Sequence, residues 1–346
     1  METDMENKRS IEELTELIQS EIRYCPYCQT YEGGQVVWIF GNRVDLDELM
    51  DNFEVPEQSR EELVKGLSCP NCRAEISRPT DVGIRYDYEV EYDNKIAEAK
   101  AKYSGDLFDF SFYLRNFPYL GASHPIAKTI LDEIPKFPQA DIRDQEWYRA
   151  RRIEGGKKLS QEYMFPPDPD DTYIPEGRYN HTGQSYWYLA STKEAAAAEA
   201  VKKGERIAWV QKIRIELLEN LLDVRPLEAD DDRVWTPEGE LKEISLVGVA
   251  LIFSDDLVQW VDRDATVKPE YHVPRFVADA AKHAGMSGII FRSSRHYDQN
   301  IVLFDRHAPL EFLGDPDLVC LPEHLAKLEH GLFYADGFPI LFPSRL

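Results

Sequence analysis

The sequence predicts an α+β domain over residues 141–346, preceded by a small metal-binding module over residues 1–80. Three observations carry this. Short apolar or aromatic runs of strand character at 186–189, 207–217, 244–253 and 288–291 alternate with helical patterns in mixed order. Turn residues separate them, among them Gly177, Asn180, Gly183 and Gly285. Four of the five cysteines form two CxxC pairs near the start of the chain. At 346 residues the chain is long enough for two domains with buried cores.

Taken in order, residues 1–18 predict a charged amphipathic helix with Ile11, Leu14, Leu17 and Ile18 on one side. Cys25 and Cys28, then Cys69 and Cys72, are spaced so that both thiolates of each pair can face one ion, a pattern that suits tetrahedral zinc. The competing expectation is four free thiols or two disulfides. Residues 44–67 supply helical spacing between the pairs, with Leu46, Leu49, Met50 and Phe53, then Leu63 and Leu67, around Pro56. Residues 81–140 predict a helical connector that turns at Pro135 and Pro138. Cys320 lacks a partner and is expected in the core.

The chemistry concentrates at residues 177–204. Arg178 is followed ten residues later by Tyr188 and after eleven more by Glu199. Ser191-Thr192-Lys193-Glu194 has the form of a capping box, Ala195 to Ala198 continue a helix, and Gly204 falls where a left-handed cap would close it. The four alanines leave room for a ligand or another backbone. Glu199 could instead pair with Lys203 across one turn, and Tyr188 could be an ordinary strand aromatic. Residues 275–283 predict a helix ending at Gly285, and 166–171 and 228–233 solvated acidic loops without calcium-loop offsets. His324 and His330 are not spaced to share a metal, and His181 and His296 are expected in loops. No Ser-His-Asp arrangement or phosphate-cradling glycine loop is present.

Those residues resemble the RES domain, a bacterial toxin family named for arginine, glutamate and serine. The resemblance runs from about residue 141 to 346, through Arg149 near its start, Arg178, Tyr188 and Glu199. It ends in a Ser-x-Arg loop, Ser293-Ser294-Arg295, followed by Asn300 and an apolar strand. Ser293 fits the family spacing, with Ser294 as its competitor. The chain departs from the family at Tyr179, where tryptophan is common, and at His181 and Thr182, where proline is.

The resemblance implies an ADP-ribosyltransferase-like mixed β-sheet cleft that binds NAD⁺ and cleaves its nicotinamide–ribose bond. Arg178, Tyr188, Glu199 and Ser293 would be catalytic, and Arg149, Asn180 and Asn300 would bind the dinucleotide. A carboxylate supports a ribosyl cation, an aromatic ring stacks on a flat heterocycle, and a guanidinium grips phosphate or ribose oxygens. The acceptor could be water, phosphate or a protein side chain. Such toxins imply a helix-turn-helix antitoxin or another inhibitor that occludes the cleft.

Bulk charge narrows the alternatives. With 40 basic and 63 acidic residues, a net of −23, the chain is a poor general binder of nucleic acid or anionic membrane. Residues 1–80 hold 8 Lys/Arg against 17 Asp/Glu, a net of −9, which argues against a DNA-gripping zinc ribbon. No apolar run approaches a membrane span and residues 1–20 show no secretory pattern, so a soluble cytoplasmic protein is expected. The rival expectation is a non-enzymatic, zinc-stapled adaptor that kept the fold without turnover.

Overall fold

A computed structural model of the chain describes residues 9–152, 159–170, 172–202, 204–257, 259, 261–262, 265, 267–295, 298–322, 334–335 and 338–339. Helices and sheets are both present, giving the predicted α+β class. Among the described residues no helix is long and apolar enough to cross a membrane. The chain divides into two compact units, residues 1–94 and 95–346.

In the first unit, helix α1 (Ile11–Glu21) opens with a reciprocal capping box between Ser10 and Glu13. Leu14 and Ile18 are buried, whereas Leu17 is 36% exposed, because one residue before Ile18 it points about 100° round the helix. Strand β1 (Ile22–Tyr24) leads to the hairpin β2 (Thr30–Glu32) and β3 (Gln35–Val37), then β4 (Asn42–Asp45). Asp45 caps α2 (Leu46–Asn52), and α3 (Glu57–Val64) begins after Pro56, burying Leu46, Leu49, Met50 and Leu63 as their spacing predicts. Residues 81–84, expected to open a helical connector, are instead β5 (Asp81–Ile84), the middle strand of the antiparallel sheet β1–β5–β4. Four residues are too few to show a period, and Val82 and Gly83 are buried there.

The division between units falls within α4 (Asp87–Asn116), and α5 (Pro125–Glu133) follows. Then come β6 (Gln139–Arg152), β7 (Trp187–Ala190), α6 (Lys193–Ala200), β8 (Ile207–Asp223) and α7 (Leu246–Ile252). The series continues with α8 (His272–His283), β9 (Gly288–Arg292), β10 (Gln299–Leu303) and β11 (Glu311–Cys320), with a last pair β12 (Tyr334–Ala335) and β13 (Phe338–Pro339). The main sheet runs β11–β8–β6–β7–β10–β9 with antiparallel neighbours. β9 also pairs in parallel with the end of β8, Leu221 opposite Gly288, so the sheet is mixed and its pairings close on themselves. Trp147, Trp187, Leu189, Ile213 and Ile301 form its core, and Phe110 of α4 meets Phe276 of α8 edge to face at 5.0 Å.

Several expectations change here. Residues 244–253 are not a strand: Ser245 caps helix α7, and six of its seven residues are buried. Burial on every side erases the periodicity that tells helix from strand. The cap of α6 is Thr192, whose Oγ accepts from Ala195 N–H, one residue later than the capping-box pattern suggested. That helix ends at Ala200 rather than near Gly204, although Gly204 does take a positive φ of 81°. β8 runs six residues beyond the predicted 207–217, to Asp223, and β6 was not predicted at all. Cys320 is exposed at the end of β11, not in the core. Residues 228–233 send Arg233 inward, its Nη1 2.9 Å from the fully buried Asp223, so this loop is not merely solvated.

Candidate active site

Six of the seven predicted site residues of the second unit line one open cleft of about 1390 Å³: Arg149, Arg178, Asn180, Tyr188, Glu199 and Asn300. Each arrives from a different place. β6 carries Arg149, the loop before β7 carries Arg178 and Asn180, and β7 places Tyr188 between the inward-facing Trp187 and Leu189. Tyr188 pairs with Val302 of β10, and Ala190 with Tyr148 of β6, so β7 ties the two walls together. The seventh residue, Ser293, is 1% exposed and lies behind the cleft wall, while its neighbour Ser294 lines the cleft.

Glu199 sits in the last turn of α6. All four preceding alanines are buried against β8 and β11 residues, including Ala208, Val210 and Val319, so the space they leave admits other backbone. The Glu199 carboxylate is held from two sides. Its Oε1 accepts from Ser293 Oγ at 2.6 Å and from Asn300 Nδ2 at 3.1 Å. Its Oε2 lies 3.7 Å from Arg295 Nε. Arg295 in turn donates its backbone N–H to Ser293 Oγ at 3.1 Å and its Nη2 to Val261 O at 2.8 Å. The sequence placed Arg295 in a motif without giving it a role, and the Ser-x-Arg spacing was the signal available. Lys203 and His296 lie outside the described residues, as do His324 and His330.

The aromatic and the amide are locked to each other. Tyr188 hydroxyl donates to Asn180 Oδ1 at 3.0 Å and accepts the Tyr179 N–H at 3.2 Å. Burial pushes the Tyr188 phenol above its ordinary value, so it stays protonated at neutral pH. Asn180 Nδ2 is spent on the carbonyls of Pro175, His181 and Gln184, which makes this side chain a brace for the loop. Gly177 is required beside it, since a Cβ there would stand 2.2 Å from Asn180 Oδ1. His181 is exposed and paired with Asp279 at 2.8 Å, outside the cleft lining.

The arginines differ in kind. Arg178 donates to the carbonyls of Leu257 and Gln259 at 3.0 and 2.8 Å, and to Ser294 Oγ at 3.2 Å. Its guanidinium also lies 5.0 Å from the Tyr271 ring centre, another cleft residue the sequence did not flag. Arg149 is 4% exposed, stacks over Trp187 at 5.1 Å and donates Nη1 to Tyr188 O at 3.3 Å, while its Nε is buried without a partner. Two residues on, Arg151 donates to the carbonyls of Tyr163 and Phe165. Burial, with Arg151 beside it, pushes the Arg149 guanidinium well down from its ordinary value, and burial lowers Arg151 too. Among the described residues neither pairs with a carboxylate. The loop 166–171, described except for Asp171, contributes Asp168, paired with Arg306 at 3.1 Å at the cleft rim.

In the first unit the four cysteines meet. Sγ–Sγ distances are 3.5 Å for Cys25–Cys72 and Cys28–Cys69 and 3.9 Å for Cys25–Cys28, and all four sulfurs lie within 4.8 Å of one another. A tetrahedron of metal–sulfur bonds of about 2.3 Å has edges of about 3.8 Å, so the donor set fits one metal ion. Burial raises the thiols of Cys25 and Cys69. At Cys28 burial acts the same way but is outweighed by the Asn71 amide, 3.2 Å away, and other donors, leaving its thiol at about 7.

A mixed sheet, with a carboxylate clamped by Ser293, Asn300 and Arg295 at the wall of a guanidinium-lined cleft, defines an α+β domain. Residues 146–317 match the family model of the RES domain, and the chain carries that domain. No curated protein sequence matches the chain. Among solved structures it is similar to the crystal structure of the M. tuberculosis MbcT–MbcA toxin–antitoxin complex. That likeness has 17% identity and a TM-score of 0.33, and covers 57% of this chain and 94% of the other.

Proposed function

We propose that the RES domain consumes NAD⁺ by cleaving its nicotinamide–ribose bond, with residues 141–346 as the catalytic part. The observation that carries this reading is the Glu199 carboxylate, fixed by Ser293 and Asn300 at the wall of a cleft lined with arginines. Two cleft residues keep buried polar atoms without partners, Arg149 Nε and Asn300 Oδ1, as expected where a ligand completes the bonding. Arg149 and Arg151 would face the diphosphate, the Tyr188 ring the nicotinamide, and Arg178 would supply charge while tying the Leu257 and Gln259 carbonyls to the site.

In the reaction the ribose C1–nitrogen bond breaks and its electron pair leaves with nicotinamide, which turns neutral. The ribosyl carbon becomes cationic, and Glu199 stabilises that charge as it develops. The acceptor's lone pair then forms the new bond at C1 and its proton departs. Ser293, Asn300 and Arg295 hold the carboxylate in place so that little reorganisation is needed at that moment.

Two further assignments accompany this reading: zinc, suggested by the CxxC spacing and held by Cys25, Cys28, Cys69 and Cys72 as a structural ion, and, from the family resemblance, an inhibitory protein such as a helix-turn-helix antitoxin that covers the cleft. Purified protein freed of any inhibitor and given NAD⁺, phosphate and cell lysate should release nicotinamide. Free ADP-ribose then identifies water as the acceptor, ADP-ribose-1″-phosphate identifies phosphate, and labelled protein identifies transfer. Unchanged NAD⁺ under all three conditions would leave a non-enzymatic adaptor in its place.

A further inference from the structure

Helix α4 presents an exposed seam that matches itself. Ala97, Ala101, Gly105, Phe108 and Phe112 are spaced to share one helix face, and all are exposed, the two rings at 75% and 66%. Those rings alone leave on the order of 250 Å² of aromatic surface in water, a large apolar patch for a chain of net charge −23. Gly105 adds an independent observation. It sits in the interior of a 30-residue helix, where glycine costs roughly 1 kcal/mol against alanine. Among the described residues nothing requires it, since a Cβ built there meets no atom within 4 Å.

We infer that α4 is the dimer interface of this protein, packing antiparallel against α4 of a second copy about a two-fold axis between Ser104 and Gly105. In that register each seam alanine lies opposite a phenylalanine. Ala101 of one copy faces Phe108 of the other, Ala97 faces Phe112, and Gly105 at the crossing point lets the two backbones approach. The flanks agree in charge. Lys102 and Asp109 are both exposed on the same edge of the seam, and the two-fold axis brings Lys102 of each copy beside Asp109 of its mate. Within one chain Lys102 lies over the ring of adjacent Tyr103, at 4.9 Å. The proposal does not depend on the NAD⁺ reading, because no seam residue lines the cleft.

The test is molar mass in solution, by light scattering and sedimentation over a concentration series on the full chain. The wild type should be a dimer that dissociates on dilution. Gly105→Leu fills space that is open in the single chain, so it should give a folded monomer by circular dichroism. Phe108→Asp should weaken the dimer by about 100-fold or more, as for a central aromatic anchor. Lys102→Glu should weaken it by roughly tenfold, and Lys102→Glu with Asp109→Lys should restore it. Both of these positions are solvent-exposed, so this arm stands even if the phenylalanine variant fails to fold. A wild type that stays monomeric at high concentration overturns the proposal, even if it captures another protein through Phe108. So does a dimer untouched by Gly105→Leu, or a charge swap that fails to restore association.

Discussion

The cysteine cluster of the first unit and the cleft of the second are charged in opposite senses. Four sulfurs within 4.8 Å of one another gather electron-rich donors that only a cation can hold together once they ionise. In the cleft, the buried Arg149 and the half-buried Arg151 gather positive charge that, among the described residues, meets carbonyl oxygens and no carboxylate. Each arrangement is costly by itself and is relieved by a partner of the opposite sign. On the proposed reading the sulfur cluster takes an ion that holds its fold, whereas the cleft waits for its anion because the sheet holds the arginines in place.

The largest expected effect separates the two directly. Metal bound by four cysteines contributes about 10–16 kcal/mol in small zinc domains. Stripping it with a chelator, or Cys25→Ser, should therefore unfold residues 1–94 while the sheet unit keeps its structure. Elemental analysis should find about one zinc per chain, and amide exchange should show protection lost in one unit only. A metal-free protein with undiminished protection, or a disulfide among these cysteines, would remove the zinc assignment.

Next in size is the cleft's own chemistry. Glu199→Gln keeps the shape of the side chain and should leave much of NAD⁺ binding intact. It should lower turnover by on the order of 10²–10³-fold, the scale of losing one preorganised electrostatic contact. Ser293→Ala should cost less, about tenfold, because Asn300 and Arg295 still hold the carboxylate. Equal losses in both variants would mean that Ser293 touches the substrate itself.

The two sites also differed in how far the sequence disclosed them. Cys25, Cys28, Cys69 and Cys72 were legible because each pair is local and its spacing is the chemistry. Glu199 was legible only through a family resemblance, since nothing in the run of alanines says what the carboxylate will face. Arg151 stood beside Arg149 in the sequence without a role, and Tyr271 escaped notice, because they become cleft residues only in the folded chain. Helix α7 was misassigned for a similar reason: a core buries residues 247–252 on all sides and hides the period a surface helix displays. Asn180 shows the converse, a residue in the right place whose donors and acceptor are taken up by its own loop and by Tyr188.

That brace yields a smaller effect, measurable in both stability and activity. Gly177→Ala would put a methyl group 2.2 Å from Asn180 Oδ1 and 3.0 Å from the Tyr188 hydroxyl. The loop must shift, at a cost of about 1–3 kcal/mol for overpacking a tight site. Denaturant unfolding should show that loss. The NAD⁺ affinity should fall as well, because Arg178 is carried by the same loop. A variant with wild-type stability and affinity would show that the loop repacks freely and that Asn180 positions nothing.

The smallest expected effect is a pH dependence confined to the second unit. Burial, with Arg275 adding to it, lowers the pKa of His272 at the start of α8 from its ordinary 6.5. Because the folded value is depressed, the unfolded chain takes up a proton first as pH falls. The contribution of neutral His272 is thus fully present above about pH 6.5 and is lost as the pH drops through its folded value. His272→Gln should flatten the stability curve of residues 95–346 on that acid side and leave the neutral plateau in place. The cysteine module sets a different acid limit, because protons compete with the metal for thiolates. Unfolding followed separately in each unit between about pH 7 and pH 5 should therefore change in the His272 variant for the sheet unit alone. A parallel change in both units would mean that they unfold as one cooperative body.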